Sequence, residues 1–371
     1  MAKIRFKHVA AALHSLAGRA LKRTDASGAT VRALLAEEYE QSIRGTFLAS
    51  SRGVLHCTDI HISAPRSSTR RLPDLGRLVD PQRTAPCSVY VCTDALEDFA
   101  AAINGRKLAP FTLVSGDSDR VAGTGAGNQV ALNIAGHPSL VAWYAQNAGF
   151  TSPKVAPLPI GLDFHTAWTN PAQYGPGPRM PANQERLLFE ILAASPTFDE
   201  RQAKCYCDWH FNARRGDRRV ALARLAPEVA HFVAHRVARS ETWRLQSGFR
   251  FVLSPLGAGW DCHRTWEALA LGCIPIVSRC PITALFSDLP VIVVDDWATV
   301  TPAFLARAQD HIAQQEFDFS TLLLGHWRAR IAGGHAPRLP RMRFADFRSL
   351  LTSHTTQAEP ARATGAGPAG A

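Results

Sequence analysis

The sequence predicts an α/β protein built from two Rossmann-like domains, and three observations carry that expectation. The chain has 371 residues, more than one hydrophobic core usually accommodates. From Gly53 onward, short β-rich runs alternate with helical or loop segments, the pattern of a parallel, doubly wound sheet. That alternation breaks at a turn-rich stretch over 163–181, which collects Asn170-Pro171, Gly175 to Pro178 and Pro181, and then restarts.

In the first half, 54–62, 88–93, 111–115 and 155–160 read as strands, with helical patterns over 96–103 and 140–147. In the second half, 204–211, 231–234, 249–253, 273–277 and 291–294 read as strands, with helices over 218–225, 262–271 and 302–313. The predicted organisation is a basic amphipathic helix over 1–25, an N-terminal domain over 26–165, a linker over 166–185, a C-terminal domain over 186–350 and a disordered tail over 351–371. Phe6, Val9, Leu13, Leu16 and Ala20 form one face of the first helix. Lys3, Arg5, Lys7, Arg19, Lys22 and Arg23 precede the first acidic residue, so that helix reads either as a domain cover or as a contact with anionic lipid. The tail lacks large apolar residues.

Composition narrows the function. Forty-six per cent of the residues are hydrophobic and 19% charged, a globular balance. The formal charge of +10 suits nucleic acid, a membrane surface or a phosphorylated small molecule. No helix-turn-helix, zinc-finger or aromatic RNA-binding signature favours nucleic acid. No apolar run approaches the ~20 residues that span a bilayer, and no convincing signal-peptide cleavage site follows the basic start. The eight cysteines sit in or beside apolar runs, as reduced thiols of a cytoplasmic protein do. Cys205 and Cys207 form one C-x-C hook without a second, so neither zinc nor another metal cofactor is expected. The expected location is cytoplasmic, with a peripheral contact at the inner face of a membrane.

The segment from Phe249 to Val277 carries the chemistry. It parses as strand, Gly-rich turn, helix, Gly stop and strand. Gly257 and Gly259 leave room for close backbone approach. The helix start offers free N–H groups and a positive dipole end, a ready anion site to which Arg264 adds a formal charge. Glu267 lies three residues on, along the same face, where a carboxylate accepts from two ribose hydroxyls or pairs with Arg264. Arg214, Arg215, Arg218 and Arg219 follow the first strand of the second half and either reach the same phosphates or form a solvated loop.

This stretch resembles the exostosin-like glycosyltransferases. The likeness runs through Ser254-Pro255-Leu256-Gly257, Arg264, Trp266-Glu267-Ala268-Leu269, Gly272-Cys273-Ile274-Pro275 and Val293 to Trp297. Pro159-Ile160-Gly161-Leu162-Asp163 is similar to the segment that closes the N-terminal domain in such enzymes. The resemblance implies a GT-B arrangement. A nucleotide-sugar donor, UDP-linked by preference, would sit on Ser254, Gly257, Gly259, Arg264, Glu267, Arg215 and Arg218, and a glycan or glycolipid acceptor on the N-terminal domain. It further implies inverting transfer, and the helix dipole with Arg264 would stabilise the departing diphosphate without requiring a metal.

A base must then come from the N-terminal side. Asp117 and Asp119 form a D-x-D after a strand, where α/β sheets face their ligands. Asp59 and His61 are the second choice, and in both places a structural turn competes. The alternative function is a non-catalytic nucleotide- or nucleic-acid-binding protein on the same fold.

Overall fold

The computed structural model describes residues 26–357. The expected helix over 1–25, and the tail from 358 onward, lie outside the described residues. Two parallel sheets dominate a mixed α/β structure. The first contains β1 (Cys87–Cys92), β2 (Phe111–Gly116), β3 (Leu140–Ala145) and β4 (Val155–Pro157), in that order. The second contains β5 (Gln202–Cys207), β6 (Ala230–Phe232), β7 (Phe249–Leu253), β8 (Ile274–Ser278) and β9 (Ile292–Val294), ordered β6-β5-β7-β8-β9.

The leading strands of the first sheet are buried throughout rather than on alternate residues, because parallel strands are covered on both faces. Every residue of β1 and of β2 is buried. Phe99, Phe111 and Trp143 anchor the core around the first sheet, and Trp243, Phe251 and Trp266 that around the second. The chain leaves β5 for β6 on one side and crosses to β7 on the other. The strand order therefore reverses beside β5, and such a switch point opens a crevice outside the carboxyl ends of the strands.

Several elements differ from the sequence expectation. The run over 140–147 is the buried strand β3, not a helix; short apolar runs have ambiguous periodicity, and Trp143 Nε1 is locked to Ser115 Oγ of β2 at 2.8 Å. The run over 54–62 opens as the helix Ser51–Leu55, which Ser50 caps by accepting from the Gly53 N–H. Only Ile60 bridges β1, at Val89. The expected linker holds the short helices Thr166–Thr169 and Pro171–Tyr174, and its end begins the helix Pro181–Ala194. The helix Phe344–Gln357 buries Leu351 completely, so the chain stays ordered beyond residue 351. From the helix Leu324–Ile331, Trp327 returns to pack with Tyr90 and Val114 of the first sheet.

Candidate active site

A pocket of about 390 Å³ lies where the strand ends of the two sheets meet. The second sheet supplies Asp208, Phe211, Arg215 and Arg218 after β5, and His235, Arg236 and Arg239 after β6. Gly257, Gly259, Asp261, His263, Arg264 and Glu267 follow β7. Asp119, Ile160 and Tyr174 complete it from the first half and the crossing segment. A larger hollow of about 830 Å³ flanks the edge strand β9, but it is lined mainly by aliphatic side chains and contains no carboxylate.

Asn147 clasps the Gly-rich turn after β7. Its Oδ1 accepts from the N–H groups of Trp260 (3.1 Å) and Asp261 (2.9 Å). A Cβ on Gly259 would lie 2.6 Å from Asn147 Nδ2 and 3.2 Å from the Asp119 carbonyl oxygen. Gly259 thus makes room for the first half of the chain rather than for a ligand. Gly216, at φ +54°, lets the loop after β5 pass the same turn, since a Cβ there would sit 2.3 Å from Leu256 O. Asp261 completes the clasp: Oδ2 accepts from Ile160 N–H at 2.7 Å, and Oδ1 accepts from Trp266 Nε1 at 2.8 Å. Burial pushes its carboxyl up to about 6, against the pull of these hydrogen bonds.

Two arginines behind the turn are incompletely satisfied. Arg264 donates to Pro255 O at 3.3 Å, and Arg218 to Asn212 O at 3.3 Å. Both Nε groups are buried without a hydrogen-bond partner. Arg218 is 8% exposed, and burial followed by the charge of Arg264 lowers its affinity for its proton. Like charges are held close in a pocket that also receives the start of the helix His263–Ala270, an arrangement that attracts an anion. Arg215 lines the same pocket and is exposed.

One donor-side residue of the sequence reading lies outside the pocket. Ser254 is buried outside the pocket lining, and its Oγ bonds Thr265 Oγ1 at 2.8 Å, fastening strand to helix. Glu267 does line the pocket, but its partner is not Arg264. It accepts from Arg239 and, at 3.2 Å, from Trp243 Nε1. Arg239 is itself sandwiched between the rings of Tyr174 and Trp243, at 4.5 and 4.6 Å.

The acid–base candidates of the first half separate in the same way. Asp117 is buried at φ +56°, with Arg52 3.0 Å from Oδ2 and the Ser67 hydroxyl donating to Oδ1 at 3.0 Å. Burial raises its carboxyl, and Arg52 opposes that. Its place after β2 made it look like a base, but it is an ion-paired turn residue. Asp59 fastens to β1 by accepting from Ser88 N–H and Oγ–H at 2.8 and 2.9 Å. His61 is held by Thr58 O at 2.9 Å and by His56 at 3.3 Å, away from the pocket. Asp119 alone of the four lines the pocket, and it is exposed.

Sequence reasoning missed the polar network at the crossing between the halves. Asp163 is buried, accepts from the Tyr174 hydroxyl and lies 3.0 Å from His165. Burial penalises its charge, yet His165, His263, Arg239 and the Tyr174 hydroxyl hold it well below the usual carboxylate range. Burial pushes His165 down to about 4. His263 Nδ1 lies 2.7 Å from Gly161 O. The available signals were the 159–163 segment and the position of His263 beside Arg264. Among the described residues, no group of three His, Cys, Asp or Glu side chains is placed to hold a metal, and no helix is long and apolar enough to cross a membrane.

No family model and no curated protein matches the chain. Among solved structures it is similar to the spinosyn rhamnosyltransferase SpnG complexed with thymidine diphosphate, at 14% identity and a TM-score of 0.31, over 91% of this chain and 80% of that one.

Proposed function

We propose that this chain is a glycosyltransferase that moves a sugar from a nucleoside-diphosphate donor to a hydroxyl of a carbohydrate acceptor, by a single displacement with inversion. One observation carries the reading: Arg218 and Arg264 line, without a carboxylate at ion-pair distance among the described residues, a pocket that also receives a helix start. Holding guanidinium groups together without a counter-ion is costly, and a diphosphate supplies the missing charge. The resemblance of 249–297 to exostosin-like enzymes supports the same assignment, as does the switch point beside β5. We read the two sheets as the Rossmann-like domains of a GT-B arrangement, with the donor on the second.

In this reading the helix dipole, Arg218 and Arg264 stabilise charge as it builds on the departing diphosphate. Glu267, oriented by Arg239 and Trp243, faces the ribose. The acceptor enters from the side of Asp119 and Ile160.

The test pairs calorimetry with a panel of nucleotide sugars. UDP or another nucleoside diphosphate should bind at least about tenfold more tightly than its nucleoside, and one nucleotide sugar should be hydrolysed or transferred, with EDTA present. Equal affinity for diphosphate and nucleoside would remove the anion site. Tight binding without turnover of any donor would leave a nucleotide-binding protein.

A further inference from the structure

We propose that His263 is the general base of this site, a role that rests on the glycosyl-transfer reading above. His263 is the first residue of the helix His263–Ala270, and its ring lines the pocket beside Arg264. A carbonyl oxygen can only accept, so the 2.7 Å contact with Gly161 O places the proton of the neutral ring on Nδ1. The lone pair then lies on Nε2, and the tautomer a base requires is fixed by the fold.

The tether is itself held in place. Gly161 adopts φ +64°, and a Cβ there would sit 2.3 Å from Ala49 O. Leu162 N–H donates to that same oxygen at 2.9 Å. The acceptor-side turn is therefore clamped against residue 49, and its carbonyl is aimed across the cleft at the imidazole. Asp119 shares the pocket, but it is exposed, and its carboxylate lacks a comparable tether.

The position suits the chemistry. His263 stands between the diphosphate-binding side, Arg218 and Arg264, and the acceptor side, Ile160 and Gly161. The acceptor oxygen attacks the anomeric carbon and forms the new glycosidic bond. The bond from that carbon to the diphosphate oxygen breaks, and its electron pair leaves with the nucleoside diphosphate. The hydroxyl proton goes to His263 Nε2. Asp163 and Asp261 lie within electrostatic range of the ring and face the imidazolium once it forms.

The decisive variant is His263→Asn, whose amide can still donate to Gly161 O but offers no basic nitrogen. With the nucleotide sugar that the parental protein hydrolyses, kcat should fall by about 10²–10⁴-fold, while UDP affinity by calorimetry stays within about twofold. His263→Gly should recover turnover in proportion to added imidazole, which a purely structural histidine does not allow. Parental turnover in His263→Asn overturns the proposal. A loss of UDP affinity as large as the loss of rate also overturns it, because His263 would then be a phosphate contact. If the parental protein turns over no nucleotide sugar, the glycosyltransferase reading itself fails, and that result is distinct from both.

Discussion

The turns that follow the strands of the two sheets share a design and differ in one respect. After β5 and β7, Arg218 and Arg264 each keep a buried N–H without an acceptor. After β2, Asp117 is held by Arg52 and Ser67, and Asp59, in the turn before β1, by Ser88. Arg52 Nε and Asp117 Oδ2 also lack hydrogen-bond partners, but that guanidinium and carboxylate stand 3.0 Å apart, whereas among the described residues neither Arg218 nor Arg264 has a carboxylate at ion-pair distance. Position at a strand end does not separate the two cases. The presence of a counter-ion does.

The largest effect expected from this contrast falls on the first sheet. Arg52→Ala would leave Asp117 buried without its counter-ion, and removal of one partner of a buried pair costs about 3–5 kcal/mol. Urea denaturation of the variant checks this, and a cost below about 1 kcal/mol would mean that the acidic turn is not structural. On the second sheet the expected loss is in binding. Arg264→Ala should weaken UDP by about 1.5–3 kcal/mol, and uridine by much less, while the urea midpoint changes little. Equal losses for UDP and uridine would place Arg264 away from the phosphates.

How much of this was legible in the sequence follows from where each signal is written. The turn and helix over 249–277 are encoded locally, through Gly257, Gly259 and the Gly272 stop, and the strand β7 and the helices Leu96–Ile103 and Pro302–Ala313 were readable for the same reason. The strand β3 was misread because its apolar run also satisfies a helical pattern, and its strand character depends on pairing with β2. Helical spacing offered Arg264 as the alternative to a ribose for Glu267, whereas its partner in the fold, Arg239, is 28 residues earlier. Asp117 met Arg52 from 65 positions away in sequence, and His263 met Gly161 from 102 positions away. Such contacts exist only after folding, so no spacing rule finds them.

The smallest effect expected comes from a third kind of carboxylate, held by N–H groups without a cation. Glu185, on the helix Pro181–Ala194, accepts from Phe47 N–H at 3.0 Å and from Leu48 N–H at 2.8 Å. Burial pushes it from 4.5 up to about 7, and the two backbone donors only partly oppose that. The folded value lies above the unfolded one, so the native state holds this proton more tightly. Its stabilising contribution is fully present below about 4.5 and is lost as pH rises through about 7. Glutamine can accept the same two bonds through its amide oxygen and carries no charge. The stability of the parental protein relative to Glu185→Gln should therefore fall between pH 5 and pH 8, by about 1–2 kcal/mol after local relaxation. Asp261 also titrates high, at about 6, but it is present in both proteins and cancels in the difference. Urea denaturation of the two proteins at several pH values measures the trend. A difference independent of pH would show that the backbone donors at residues 47 and 48 suffice to hold the charge.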